Sequence, residues 1–502
     1  MNKPDARESY NWAHRSKNFL SRVGRRIANN LGVVAADANV HDRDVVRCQK
    51  LDRLESYYDN TQYNHLLEWD RATSESDDYI AVRSRKPRII YPFARMLASR
   101  LTAKVVGQSV FPKFTIEESP EDQEFLETVI DVSNLRSNLL EPVRRAAGVG
   151  SCFIRFWIIG GRYRFEWIKS KYCYPVWDDS GELESVEIKF VFIDDADRGP
   201  DGMPKKKWHR MILTTTSEIS FDNPEYKPKQ VPEFLETSRI DHDLGFVPGQ
   251  WLRTDESSVD GAGFVDGIEG FIDEFNYSLS QTSQAVAYNQ EPQLVFNGMT
   301  EDETEAVIRS STKSWNLGKE GKADFVEAGM KGVETAGTVR DKIQTNLSDI
   351  TRITVHDPEK LIGSAQSAKA MEVLHGPLKD LVDELRLVFG PQIRALVEKL
   401  AMAALKPLLL GLDGGPITFP PGYAPKTISS KVKWPAIFQQ TLEDFQKKVQ
   451  VAAAAKNAGL ISPYTATRYV AEDFGVEDIE AELKAIEEHQ AAVAALNPFG
   501  GF

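Results

Sequence analysis

The chain has 502 residues, of which 41% are hydrophobic and 27% charged. By ordinary domain sizes that is about three domains, or one core with long excursions, and it excludes global disorder and fibrous folds. The formal net charge of −13 excludes a protein whose surface coats DNA phosphates, and three cysteines with no CxxC pair exclude a disulfide scaffold or a zinc ribbon and suit a reducing compartment.

Residues 1–47 are polar and charged. RSKNFLSRVGRRIANNLG sets Arg15, Lys17, Arg22, Arg25 and Arg26 around Phe19, Leu20, Val23 and Ile27, the pattern of a basic amphipathic helix. It is either an arm that touches a nucleic acid, a membrane or a partner, or a solvated helix packed on its own body. No apolar run near the start suits a signal peptide. Residues 48–115 read as helical: LDRLESYYDNTQYNHLLEW carries apolar residues at three and four spacing, Pro87 and Pro92 precede a helix over 93–104, and SVFPKFTIEE is a short strand. Between 120 and 260, helices over 121–130 and 137–147 precede a hairpin, GVGSCFIRFWIIGGRYRFEWI, joined at Gly160–Gly161. ESVEIKFVFID and KKWHRMILTTTSEISF are further strands, and LGFVPGQWLR closes an α+β domain with a mostly antiparallel sheet.

From Thr254 the character changes. No Lys or Arg stands between Arg253 and Arg309, while Asp266, Glu269, Asp273 and Glu274 fall within that stretch. Phe264, Ile268, Phe271, Ile272, Phe275 and Leu279 have helical spacing, for a helix of about 27 residues, about 40 Å long, ended by Pro292. QLVFNG is a strand, MTEDETEAVIRSSTKSW a short helix with Thr300 as N-cap, and KADFVEAGM another strand, together a small α/β insertion. A second long helix covers 333–354, with Val339, Ile343, Leu347, Ile350 and Ile353 on one face. After a loop with Pro358 and Gly363, a helical pattern of about 40 residues is expected to kink at Pro377 and Pro391. Its apolar part, residues 393–412, carries Arg394, Glu398, Lys399, Lys406 and Pro407, which make a bilayer span costly, so a soluble, intracellular chain or assembly is expected. A Gly/Pro-rich loop leads to a strand ending at Trp434. Three helices finish the chain, the first ended by Gly459 and the second capped by Ser462 before Pro463.

No motif carries catalysis. Gly318 to Lys322 has the wrong spacing for a phosphate loop, there is no HExxH, and the eight histidines show no ligand spacing. GVGSC around Cys152 resembles a nucleophile turn, yet CFIRFW reads as a strand interior, where a thiol is buried. Asp178–Asp179 and Asp194–Asp195 sit in Gly- and Asp-rich loops, where turn chemistry accounts for them. No catalytic residue, metal or cofactor is therefore expected. The competing enzyme reading is a cytosolic hydrolase using Cys152 or Asp178 with Asp179. Two long helices around an insertion are hard to bury in one monomer, and apolar faces such as Phe264, Phe271 and Phe275 mark subunit contacts.

In this order the parts resemble a tailed-bacteriophage portal protein along residues 50 to 490. WLRTDESSVDGAGFVDGIEGFIDEFNYSLSQTSQAVAYNQEPQLVFNG resembles the first stem helix and the start of the clip. VRDKIQTNLSDITRITVHDPEKLIGSAQSAKAMEVLHGPLKDLVDEL resembles the second stem helix, the tunnel loop and the long wing helix. GLISPYTATRYV with VEDIEAELKAIEEH resembles the helical C-terminal end of long-tailed phage portals.

The resemblance implies a portal fold: an N-terminal arm at 1–47, an α/β wing at 48–260 and 367–440, and a two-helix stem at 261–290 and 333–354. A clip at 291–332, a tunnel loop at 355–366 and a crown with its tail at 441–502 complete it. It also implies a ring, typically of twelve copies, at one capsid vertex. The ring surrounds double-stranded DNA, contacts the major capsid protein, and meets a terminase motor and later adaptor, connector and tail proteins, with no membrane. Lys360, His356, Arg340, Lys342 and Arg352 are the candidates to meet DNA in the channel. The alternative for the three stem residues is an ion pair between subunits with Asp266, Glu269, Asp273 or Glu274. Lys313, Lys319, Lys322 and Lys331 are the clip candidates for DNA or partner proteins. Another phage structural or scaffold protein is the remaining reading.

Overall fold

A computed structural model describes residues 42–69, 80–297, 322–326, 331–353, 375–405, 428–437 and 442–496, less 117–118, 160–161, 229, 231, 243, 257, 291–292, 472–473, 475 and 477–478. The chain divides into two units, Met1–Val355 with Asp380–Pro435, and His356–Lys379 with Ala436–Phe502. It is mixed helix and sheet, as the α+β expectation has it.

In the first unit, α1 (Asp42–Tyr58) buries Cys48, Leu51, Leu54, Glu55 and Tyr58, one stripe at three and four spacing. The helix expected to run on through Trp69 stops there. Asn60 turns left-handed at φ 56°, and Leu67–Glu68 (β1) pairs in parallel with Arg85–Lys86 (β2) instead. Next come α2 (Phe93–Val105), β3 (Lys113–Thr115) and α3 (Pro120–Ser133). The Ser119 hydroxyl caps α3 by accepting from the Asp122 amide at 3.3 Å. Asn134, at φ 50°, turns the chain directly into α4 (Leu135–Val149).

The expected hairpin forms from β4 (Ser151–Ile159) and β5 (Arg162–Lys169); its Gly160–Gly161 turn lies outside the described residues. β6 (Cys173–Trp177), β7 (Leu183–Arg198), β8 (Pro204–Thr214), β9 (Ser217–Phe221) and β10 (Glu236–Asp241) make an antiparallel sheet in the order 10-9-8-7-6. β6 and β10 go beyond the strands the sequence predicts. β6 is short and holds Pro175, and β10 is an exposed edge without alternation. β11 (Gly249–Arg253) pairs with β4 to give a second sheet, ordered 11-4-5. Phe153 and Trp251 from that sheet and Val186, Ile188 and Leu213 from the larger one share one apolar core.

A glycine-bearing turn leads into the first long helix. A Cβ on Gly263 would lie 2.2 Å from the Gly148 carbonyl oxygen, so the loop reaches the end of α4 only without a side chain. Gly267, at φ 101°, keeps residues 264–268 out of the helix. α5 (Glu269–Gln290) therefore has 22 residues, shorter than its apolar spacing predicts, and Phe264 and Asp266 precede it. β12 (Gln293–Asn297) and β13 (Lys322–Val326) form an antiparallel ladder. The helix expected after Thr300 lies outside the described residues. α6 (Lys331–Thr351) follows and packs along α5. α7 (Gly376–Ala404) has Pro391 inside it, while Pro377 is its second residue; residues 367–374 lie outside the described ones. Phe389, Ile393, Leu396 and Leu400 of α7 are fully buried, and β14 (Lys431–Lys433) pairs with β3.

The second unit holds α8 (Leu442–Asn457), α9 (Pro463–Ala471) and α10 (Ile479–Leu496). Gly459 follows α8 at φ 71°, and the Ser462 hydroxyl accepts from the Thr465 amide at 3.1 Å, as the capping signals predict. Among the described residues no helix is long and apolar enough to cross a membrane.

Candidate functional site

The acidic helix α5 is the most unusual element of the sequence, and its carboxylates all find partners N-terminal to it in the same chain. Asp266, just ahead of α5, pairs with Lys50 at 2.6 Å and Arg53 at 3.4 Å, and Glu269 pairs with Arg53 at 3.2 Å. Asp273 accepts from the hydroxyls of Tyr57 at 2.8 Å and Tyr63 at 2.5 Å; Glu274 pairs with Arg83. Burial pushes both tyrosines upward, and the Asp273 carboxylate adds to it. Farther along, Asn276 accepts from the Tyr91 amide at 2.9 Å, Ser280 from the Ile89 amide at 3.1 Å, and Gln284 from the Trp69 indole at 3.1 Å. One side of α5 is thus fastened over several turns to residues 50–91.

The expected site residues separate accordingly. Phe275 is buried in its own chain, its ring centroid 4.6 Å from Phe93 and 5.6 Å from Tyr91. Phe264 and Phe271 are half-buried. Within the chain the α5 acids pair with none of Arg340, Lys342 or Arg352. Arg352, at φ 56° just past α6, pairs with Glu384 of α7 at 2.9 Å. Arg340 is half-buried and Lys342 exposed, and neither has an acidic partner among the described residues. Lys322 is exposed at the start of β13, and Lys331 begins α6. Lys313, Lys319, His356 and Lys360 lie outside the described residues.

A buried charge network goes beyond the sequence reading. The Arg145 side chain is 5% exposed and lies between the rings of Tyr58 and Trp167, at 4.6 and 4.8 Å. It pairs with Glu55 and, at 3.1 Å, with Asp59; Lys169 reaches Asp59 at 2.5 Å and Glu55 at 3.4 Å. Burial alone would push the Asp59 carboxyl up, but Arg145 and Lys169 hold it below the usual carboxylate range. Arg47 holds both Asp260 oxygens, at 2.6 and 2.8 Å, and donates to the Cys173 carbonyl at 2.9 Å. These pairs tie α1 to α4, β5 and the loop before α5. Their sequence separations run from 86 to 213 residues, which leaves no local signal.

Of the candidates for an enzyme reading, Cys152 and Asp178 have structural roles, and Asp179 is exposed. Cys152 is fully buried in β4, and burial pushes its thiol far above the usual range, which removes the thiolate a nucleophile needs. Asp178 accepts from the Ser180 hydroxyl at 2.6 Å and from the amides of Ser180 and Glu182, a turn whose hydrogen bonds hold the carboxyl low. Among the described residues no three His, Cys, Asp or Glu side chains are grouped to hold a metal ion.

The family model described as "Phage portal protein, SPP1 Gp6-like" matches residues 37–494. Among solved structures, a chain of "Neck of native GTA particle computed with C12 symmetry" is 11% identical, with a TM-score of 0.37 over 75% of this chain and 88% of that one. A chain of "Virion of native gene transfer agent (GTA) particle" is 11% identical, with a TM-score of 0.38 over 75% and 89% of the two chains. No curated protein sequence matches the chain.

Proposed function

Because the chain belongs to the SPP1 Gp6-like phage portal family, we propose that it assembles as a ring, of twelve copies by the family's habit, at one vertex of a virion capsid. The ring conducts double-stranded DNA during packaging and ejection. It docks a terminase motor first and adaptor, connector and tail proteins afterwards, beside the major capsid protein, and it runs no reaction of its own. The family match over residues 37–494 carries this reading. The order of parts supports it: a mixed helix and sheet body as wing, α5 and α6 as stem, the β12–β13 ladder in the clip between them, 355–366 as tunnel loop, α7 returning to the wing, and α8 to α10 as crown.

Charge supports a passage rather than a grip. Each Lys or Arg that neutralises a phosphate adds affinity, and therefore friction, for a sliding duplex. α5 carries neither residue type, and two of its three acids, Glu269 and Glu274, are paired with Arg53 and Arg83 within the chain. Guidance is assigned to Arg340 and Lys342 on α6 and to Lys360 and His356 in the tunnel loop; Arg352 joins them only by releasing Glu384. Lys313, Lys319, Lys322 and Lys331 are assigned to DNA or docking proteins at the clip. Phe264 and Phe271 are assigned to subunit contact, whereas Phe275 supports the stem from inside its own chain.

The test is assembly of particles with a chain lacking residues 359–364. Rings and capsids should form, and the DNA content of the particles should fall. Full DNA content would remove the tunnel loop from the channel's working parts.

A further inference from the structure

Val186 and Ile188 of β7 face the shared core, so alternation turns Ser185, Glu187 and Lys189 to the opposite face of the sheet. That face borders a cavity of about 870 Å³, walled also by Arg47 of α1, Val176 and Trp177 of β6, and Val259. Most charges around it are matched. Arg47 holds Asp260, Lys50 holds Asp266, and Arg210 pairs with Glu187 at 2.8 Å while stacking on Phe221 and Phe234.

Among the basic groups Lys189 is the exception. It is 8% exposed and has no hydrogen bond or ion pair among the described residues. Its ammonium lies 5.4 Å from the Trp208 ring centroid and 5.6 Å from that of Phe234, with Arg210 directly across on β8. The neighbouring Trp208 indole nitrogen is buried without an acceptor among the described residues. Burial pushes the Lys189 ammonium below the usual lysine range and Arg210 adds to this, while Glu187 opposes it.

We propose that this cavity binds a short peptide segment of a partner protein that presents a carboxylate side chain beside an apolar one. The carboxylate pairs with Lys189, and the apolar group lies against Val176, Trp177 and Val259. Asp44 and Glu187, both in the wall, weigh against a doubly charged phosphate. The residues that line it all belong to one chain, so peptide binding can be measured apart from ring formation.

Calorimetric titration of the full-length chain with the acetylated, amidated tripeptide Leu-Glu-Leu tests it. Saturable binding is expected, absent for Leu-Gln-Leu and weakened about tenfold or more by Lys189→Met. Val176→Trp, which fills the cavity from a half-exposed position, should also abolish binding and covers the case in which Lys189→Met fails to fold. No binding to the unaltered chain, equal binding of the glutamine analogue, binding that survives either folded variant, or displacement of the peptide by equimolar inorganic phosphate would each overturn the assignment.

Discussion

Arg145 sits at the centre of a charge cluster that joins α1 to the body of the first unit. Its replacement by methionine keeps much of the volume but leaves Glu55 and Asp59 buried with Lys169 as their remaining cation. Denaturant unfolding should show a loss of about 3 kcal/mol; a loss below about 1 kcal/mol would mean the pairs are solvated. His209 gives a second residue-scale prediction. It packs against Phe190 with ring centroids 4.9 Å apart, and burial with Arg155 pushes its imidazole down to about 4, against a hydrogen bond with Asn223. The folded chain thus holds a neutral ring where the unfolded chain, near the ordinary value of about 6.5, takes up a proton. Stability is complete above pH 6.5 and falls as pH drops toward 4, by at most about 1.4 kcal/mol per unit. His209→Gln should flatten that slope between pH 6.5 and 5, and an unchanged slope would assign it to other groups. The sequence hides both residues for one physical reason: what decides their state is a set of neighbours drawn from distant parts of the chain.

The two long helices show what spacing reveals and what it misses. Apolar residues at three and four spacing locate α5 and α6, because a helix must bury one stripe. The same spacing runs on into residues 264–268, where Gly267 at φ 101° breaks the helix, and pattern alone cannot see that. It also overextends α1 past Asn60. The acids of α5 are conspicuous in sequence, yet their partners Arg53, Tyr57, Tyr63 and Arg83 become visible only when α1 and the residues up to β2 are placed beside it. Asp273→Ala leaves two tyrosine hydroxyls without their acceptor and should cost a single chain about 3 kcal/mol in a denaturant melt. Phe271→Asp addresses a different level. The half-buried ring should be replaceable with little effect on the chain's own melt, whereas a charge between subunits should reduce the assembled fraction in sedimentation. Unchanged assembly with Phe271→Asp would move the subunit contact to another face of α5.

At the level of the whole chain, antiparallel strands and capped helices are legible from sequence because each rests on local chemistry: alternation, Gly and Pro punctuation, Ser caps. The strand and turn patterns around Cys152 and Asp178 are legible for the same reason: the thiol is buried in β4 and the carboxylate is occupied by its own turn. What unites these parts is membership of the portal family and the ring inferred from it. Imaging the purified full-length chain by negative-stain electron microscopy tests that ring most directly. The account predicts closed annuli of one size with a central hole wide enough for a DNA duplex; a uniform field of small, single-copy particles under assembly conditions would contradict it.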